Sequence, residues 1–270
     1  MDKGRLVQKK EVEGLSGTIK FKGGKAMRTI NEIKRWSREF EMETKMGVKR
    51  AYEILDPSEL PLDVKKMIFD DFYPVAMSAF SQNKSVQFEA DVFHHLFEVD
   101  GLILVFNEGV GYSADENVVE KGIAFRTYTT FETPFGRAMY IEGTAVDPNY
   151  QGYGFYQAFT KSTVEGCSFV TSRTQNPVVV TALSKIFGSV APISCEPDFK
   201  EKAVKVGKIL ADKLGMDNYD EKEMVSKGFY GKALNGVKPR IENDIQKRMS
   251  KLVNADKGDC LIAVCENNLS

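Results

Sequence analysis

The chain has 270 residues, 42% hydrophobic and 28% charged, with a formal net charge of −1, an ordinary globular composition that excludes a mainly disordered or fibrous chain. That length suits one large domain or two small ones, with a core that needs no disulfide or metal staple. No apolar run approaches the ~20 residues that cross a bilayer, and Met1-Asp2-Lys3-Gly4-Arg5 is not followed by the apolar stretch of a secretory signal. The expected setting is a reducing cytoplasm, without membrane contact, with Cys167, Cys195, Cys260 and Cys265 as free thiols.

The charge is unevenly spread. Residues 1–50 hold 14 Lys and Arg against 7 Asp and Glu, and the rest hold 23 against 31. A basic arm can contact an anionic partner such as nucleic acid, or it can simply balance an acidic body. Residues 1–25, with Gly14, Gly17, Gly23 and Gly24, read as that arm. Ile30, Ile33, Trp36 and Phe40 then recur at helical spacing, predicting a helix over 28–46. The plan is an arm plus helix at 1–45 and a single domain at 46–270.

A short strand over 51–55 closes at Asp56-Pro57, and Val64, Met67, Ile68, Phe72 and Val75 mark a helix over 61–80, broken or kinked at Pro74. Residues 102–107, 122–131 and 138–146 are rich in β-branched and aromatic side chains between turn signals, which predicts a three-strand antiparallel meander. Gly109-Val110-Gly111 is its first hairpin turn. A helix over 154–165 ends at Gly166, a strand follows at 168–171, and a helix over 177–187 starts on a proline. Helices at 200–214 and 240–253 precede a last strand at 260–265, and the stretch 196–225 reads as a helical insertion. Strands followed by strand–helix–strand make a mixed α/β, or α+β, sheet with one central crossover.

Few catalytic classes remain open. His94 and His95 are the only histidines, and sequence neighbours point apart on a helix or strand, so they do not share a metal. There is no His-Glu-x-x-His, no Cys-x-x-Cys, no Gly-x-Ser-x-Gly elbow and no P-loop. No metal is expected.

One segment stands out. Tyr140 to Val146 is a β-branched strand, Asp147-Pro148-Asn149 ends it, and Gln151-Gly152-Tyr153-Gly154 opens a helix. A strand that runs into a helix N-terminus presents unpaired N–H groups and the positive end of the helix dipole. Gly152 and Gly154 let an anion approach the backbone, as pyrophosphates do at such sites. The run from Ala145 to Gly154 resembles the acetyl-CoA motif of the GNAT N-acetyltransferase superfamily, a strand ending Val-x-Pro followed by Arg/Gln-x-x-Gly-x-Gly/Ala. Gln151 and Gly154 match its first and fourth positions, and Tyr156 departs from the Gly or Ala of the last. The element order from residue 51 to 265 is also similar to that family's: two helices after the first strand, three strands, motif, helix, strand, helix, late strand. Thr174-Gln175-Asn176-Pro177 resembles its second cofactor motif, in which an Asn at a helix start lies beside the pantetheine. The Tyr that commonly follows about seven residues later as general acid is replaced by Leu183 or Ser184.

The resemblance implies a mixed, mostly antiparallel twisted sheet with a central splayed strand pair and flanking helices, and acetyl transfer to a primary amine by direct attack. Acetyl-CoA would be held at Ala145, Val146, Gln151, Gly152, Tyr153, Gly154, Phe155, Tyr156 and Asn176, with pantetheine extending the strand at Ala145 and Val146. An N–H near Ala145 would polarise the thioester carbonyl. A lysine-like amine has a pKa of ~10.4 and must lose a proton before attack. Glu142 is the base by position, unless it only faces solvent or pairs with Arg126 or Arg137, and Tyr153, Tyr156 or a water would protonate the thiolate. The acidic body favours a cationic acceptor. A non-catalytic acyl-CoA-binding or regulatory domain, and a nucleic-acid-associated protein acting through its arm, are the alternatives. The sequence leaves oligomeric state and acceptor open.

Overall fold

The computed structural model describes residues 30–80, 85–107, 121–234 and 243–269. The arm through residue 29, the Gly109-Val110-Gly111 turn and the polar stretch 113–118 lie outside the described residues. The strands are β1 (Arg38–Thr44), β2 (Gly47–Leu55), β3 (Gly101–Asn107), β4 (Lys121–Thr133), β5 (Gly136–Val146), β6 (Phe169–Thr174), β7 (Tyr219–Asp220), β8 (Val225–Ser226) and β9 (Cys260–Glu266). They form one sheet in the order β1-β2-β3-β4-β5-β6-β9-β8-β7. Every neighbouring pair is antiparallel except β5–β6, which is parallel. That one parallel step is the expected crossover.

The helices are α1 (Leu62–Ala79), α2 (Val86–Phe97), α3 (Phe155–Thr163), α4 (Pro177–Phe187), α5 (Pro197–Lys213) and α6 (Asp244–Leu252). Strands β3 and β9 are apolar along almost their whole length because both of their faces are covered. On β3, Ile103 and Val105 join the core under α3, α4 and α6, while Leu102, Leu104 and Phe106 join the core under α1 and α2. β9 alternates likewise, with Leu261, Ala263 and Cys265 on the α3/α4 side and Cys260, Ile262 and Val264 under α5. Among the described residues no helix is long and apolar enough to cross a membrane.

The expected helix over 28–46 is corrected. Among the described residues of that span helix is confined to Ile30–Ile33, and Arg38–Thr44 is an edge strand paired with β2. Its own alternation, with Phe40 and Met42 facing inward between Glu39, Glu41 and Glu43, has the period of two that a half-buried strand needs. The basic segment therefore carries part of the sheet. Trp36, expected on the apolar helix face, is exposed. α1 continues through Pro74 to Ala79. Helix α2 has no counterpart at a stated place in the sequence reading; its start is capped by Ser85, whose hydroxyl accepts from the Phe88 N–H at 3.1 Å.

Candidate active site

β5 and β6 pair only from Ala138↔Phe169 to Ile141↔Ser172, and beyond that rung they part. An irregularity lies at the same level on the other side of β5. Thr127 of β4 faces Gly143 and Tyr128 faces Ile141, so Glu142 is an extra residue, a bulge that turns the strand away from its register. The split therefore opens at Glu142 on one strand and Arg173 on the other.

On the α3/α4 side the split ends at the glycine loop. Gly152 and Gly154 have φ of +81° and +88°, and a Cβ at Gly152 would meet nothing within 4 Å. Left-handed backbone is where glycine costs nothing and other residues cost ~1–2 kcal/mol. The N–H groups of Gly152, Tyr153 and Gly154 donate to no described residue, and they immediately precede α3. The Tyr153 carbonyl accepts from the Lys45 N–H at 2.9 Å, so the β1–β2 hairpin tip fastens the loop from outside. The Tyr153 ring itself is exposed. Gln151 donates its amide to the Val146 carbonyl at 3.1 Å, closing the strand end and engaging one backbone group of the expected pantetheine track. Ala145 and Phe155 are core residues, and Asn176 spends its side-chain oxygen as the N-cap of α4, accepting from Val178 at 2.9 Å.

Beneath this loop lies a feature that the sequence reading missed. Arg126 of β4 is fully buried, yet among the described residues it meets no carboxylate. It donates to Thr144 Oγ1 at 3.0 Å, Thr160 Oγ1 at 2.6 Å and the Tyr156 carbonyl at 3.2 Å. Its guanidinium lies 4.4 Å from the Tyr156 ring centre and 5.4 Å from that of Phe159. Burial pulls it down to about 10, partly countered by Tyr156, so it stays charged at neutral pH. The bulk at position 156 thus has a structural partner. The Tyr156 hydroxyl is buried beside Ser172, the last residue of β6 that pairs with β5, without a well-formed hydrogen bond. Burial raises its pKa against the opposing effect of Arg126, so it is a phenol and a proton donor. Leu183, where a tyrosine is common, is core.

On the opposite face Glu142 pairs with neither Arg126 nor Arg137. Its Oε2 lies 3.5 Å from His95 Nδ1, on the last turn of α2, and its Oε1 accepts from Thr129 at 3.3 Å. The Glu142 side chain is 17% exposed and that of His95 39%, so the pair borders solvent. Nothing local to the histidines in the sequence signals this contact, which depends on where α2 packs.

The end of β6 also carries a wall. Gln175 donates to the Lys232 carbonyl at 3.2 Å and accepts from the Leu234 N–H at 2.8 Å. Buried Asp259 accepts from the Gly228 and Asn254 N–H groups at 3.0 and 3.1 Å and from Lys227 at 3.1 Å. Gly258 must be glycine, since at φ +80° a Cβ would lie 2.3 Å from the Gly231 nitrogen. These contacts set Phe229 and Tyr230 against Arg173. Among the described residues, no group of His, Cys, Asp and Glu side chains is placed to hold a metal.

No protein-family model and no curated protein matches the chain. Solved structures that overlap it include N-acetyltransferases. The ribosomal-protein-S18-alanine N-acetyltransferase of Escherichia coli is 12% identical over 82% of this chain and 96% of its own, at a TM-score of 0.39. The ribosomal-protein-S5-alanine acetyltransferase of Vibrio fischeri is 14% identical over 86% and 97%, at 0.36. Arabidopsis thaliana NAA60, in complex with acetyl-CoA, is 12% identical over 50% and 84%, at 0.32. Likenesses this loose bear on neither activity nor residue roles.

Proposed function

We propose that the protein is an acetyl-CoA-dependent N-acetyltransferase of the GNAT type, acting on a primary amine. The observation that carries this reading is the parting of β5 from β6 after Ile141 and Ser172, with unpaired N–H groups at one end and a carboxylate on the opposite face. The residues fit the cofactor's anionic part. Gly152, Tyr153 and Gly154 offer N–H groups at a helix N-terminus, and Arg126 supplies a buried positive charge one helical turn below. Acetyl-CoA bound there would supply an activated thioester.

The remaining chemistry belongs to the chain. Glu142, backed by His95, takes the proton of the acceptor ammonium and holds the amine at the mouth of the split. Tyr156 gives its phenolic proton to the departing thiolate, a role that falls to it rather than to exposed Tyr153 because its hydroxyl lies at the apex of the split. The bulge at Glu142 releases backbone from the β4 ladder, leaving N–H groups able to polarise a carbonyl.

A non-catalytic acyl-CoA-binding domain is the second reading, favoured by the side-chain bond that already engages the Val146 carbonyl. Calorimetric titration with acetyl-CoA tests both against a protein that has no cofactor. Binding by the native chain that vanishes in a Gly152→Glu/Gly154→Glu variant supports the site. Absence of binding to acetyl-CoA and to CoA overturns it.

A further inference from the structure

We infer that Arg173 is the anion-binding half of the acceptor site, and that the acceptor is a small amine bearing a carboxylate, an amino acid or a near derivative. The inference rests on the assignment of the amine to Glu142 made above.

Ser172 and Ile141 form the last paired rung, so Arg173 and Glu142 are the first residues on either side of the opening. Phe169 and Tyr140 belong to the core under α5, and Arg173 falls on that same face by the alternation of the strand. Adjacent strands lie ~4.8 Å apart and spread from there. The side chains of Glu142 and Arg173 thus start from neighbouring positions on the two lips of the opening, where one small molecule can meet both.

Arg173 is built to hold still. Its Nε donates to the Tyr230 hydroxyl at 2.7 Å, and its guanidinium lies 4.6 Å from the Phe229 ring centre and 5.1 Å from that of Tyr230. Its two terminal nitrogens meet no acceptor and no carboxylate among the described residues, and the side chain is only partly buried. Arg38, by contrast, is paired with Glu53 at 2.6 Å and Arg137 with Glu132 at 3.7 Å. A guanidinium fixed through Nε and its faces keeps the planar fork that receives a carboxylate in two parallel bonds. Ordering it in advance removes much of the entropy cost of binding.

A second observation points to the same place. Tyr140 is 1% exposed, and its hydroxyl has no hydrogen-bond partner. Arg173, Tyr230 and Glu142 all act on it electrostatically. A buried phenol left without an acceptor beside an unpaired guanidinium is the complement of an anion's oxygen. One guanidinium balances one carboxylate, whereas a dianionic phosphate would leave charge uncompensated close to Glu142.

The test compares matched amines. Calorimetry with CoA first reads the cofactor assignment by itself, and a native chain that binds no CoA would sink the transferase reading. CoA release from acetyl-CoA is then followed with β-alanine against propylamine, phenylalanine against phenethylamine and tyrosine against tyramine. The carboxylated member of at least one pair is expected to have a kcat/KM about 10- to 100-fold higher, the size of a charge-assisted bidentate contact. In Arg173→Gln that ratio should fall to about one while CoA affinity holds. Tyr230→Phe, which keeps the ring and removes the Nε anchor, should lower the ratio partway. Equal or faster reaction of the carboxylate-free amines, CoA release with none of the carboxylated ones, or a ratio that survives Arg173→Gln would each overturn the inference.

Discussion

Replacing Arg126 by methionine separates the stability of the fold from its hold on the cofactor. Lowering a guanidinium from its ordinary value to about 10 corresponds to a cost of about 3 kcal/mol for keeping it charged in the interior. Against this stand three hydrogen bonds from a charged donor and two ring contacts, together worth about 3–5 kcal/mol net. Methionine loses both sides of that balance and keeps a similar apolar length among Tyr156 and Phe159. Thr160 still donates to the Tyr156 carbonyl at 2.8 Å, so that acceptor is not orphaned. The change in stability should therefore stay within about 2 kcal/mol of zero, as for other buried ions exchanged for apolar residues. In thermal melts that is a shift of at most roughly 8 °C. Acetyl-CoA affinity, measured by calorimetry, should nevertheless weaken about 10- to 100-fold, because the loop's N–H groups lose the charge below them. A fall in Tm beyond about 15 °C would make Arg126 a structural residue, and unchanged affinity would show that its charge is not directed at the cofactor.

Three further outcomes follow from the geometry. Glu142→Gln should lower kcat by about 10²- to 10⁴-fold with acetyl-CoA affinity intact, and His95→Gln by less, as measured by CoA release with any accepted amine. Burial works to raise the Asp259 carboxyl, but the Gly228 and Asn254 N–H groups and Lys227 outweigh it and hold its pKa below the ordinary value. Its stabilisation is therefore full above the unfolded-state pKa and is lost as pH falls through the lower folded value. Asp259→Asn should cost about 2 kcal/mol in urea melts at pH 7, and the gap to the native chain should close as the solution is acidified below about pH 4. Finally, alkylation of the native protein followed by mass spectrometry should mark Cys195 first. Burial pushes the Cys260 thiol up to about 12 and also raises buried Cys265, so both should stay unmodified until denaturant is added.

The legible parts of the fold were those in which composition and period agree. Apolar β3 and β9, the β-branched and aromatic runs of β4 and β5, and the proline that opens α4 all lie within a few residues of their expected places. Misreading occurred where two periods competed. Ile30, Ile33 and Phe40 fit a helix, while Phe40 and Met42 between glutamates fit a strand, and pairing with β2 decides for the strand. The glycine loop was legible because positive φ selects glycine. Arg126, His95 and Arg173 were not, because each matters through partners 30 or more positions away, Thr160, Glu142 and Tyr230, which only the folded sheet brings near.

The bond from Lys45 to the Tyr153 carbonyl matters for anyone shortening the chain. Cutting after residue 45, where the charge pattern invites a boundary, would remove an entire edge strand together with Ile30 and Ile33 of the α1/α2 core. It would also expose β2 as a new, longer sheet margin bearing Val48 and Leu55, already uncovered, and so invite edge-to-edge association. Cutting before residue 30 spares all of these. A shortened chain that clumps and a shortened chain that lets go of its ligand would then share one origin, the loss of a hairpin whose tip clasps a loop that sequence distance places more than 100 residues away.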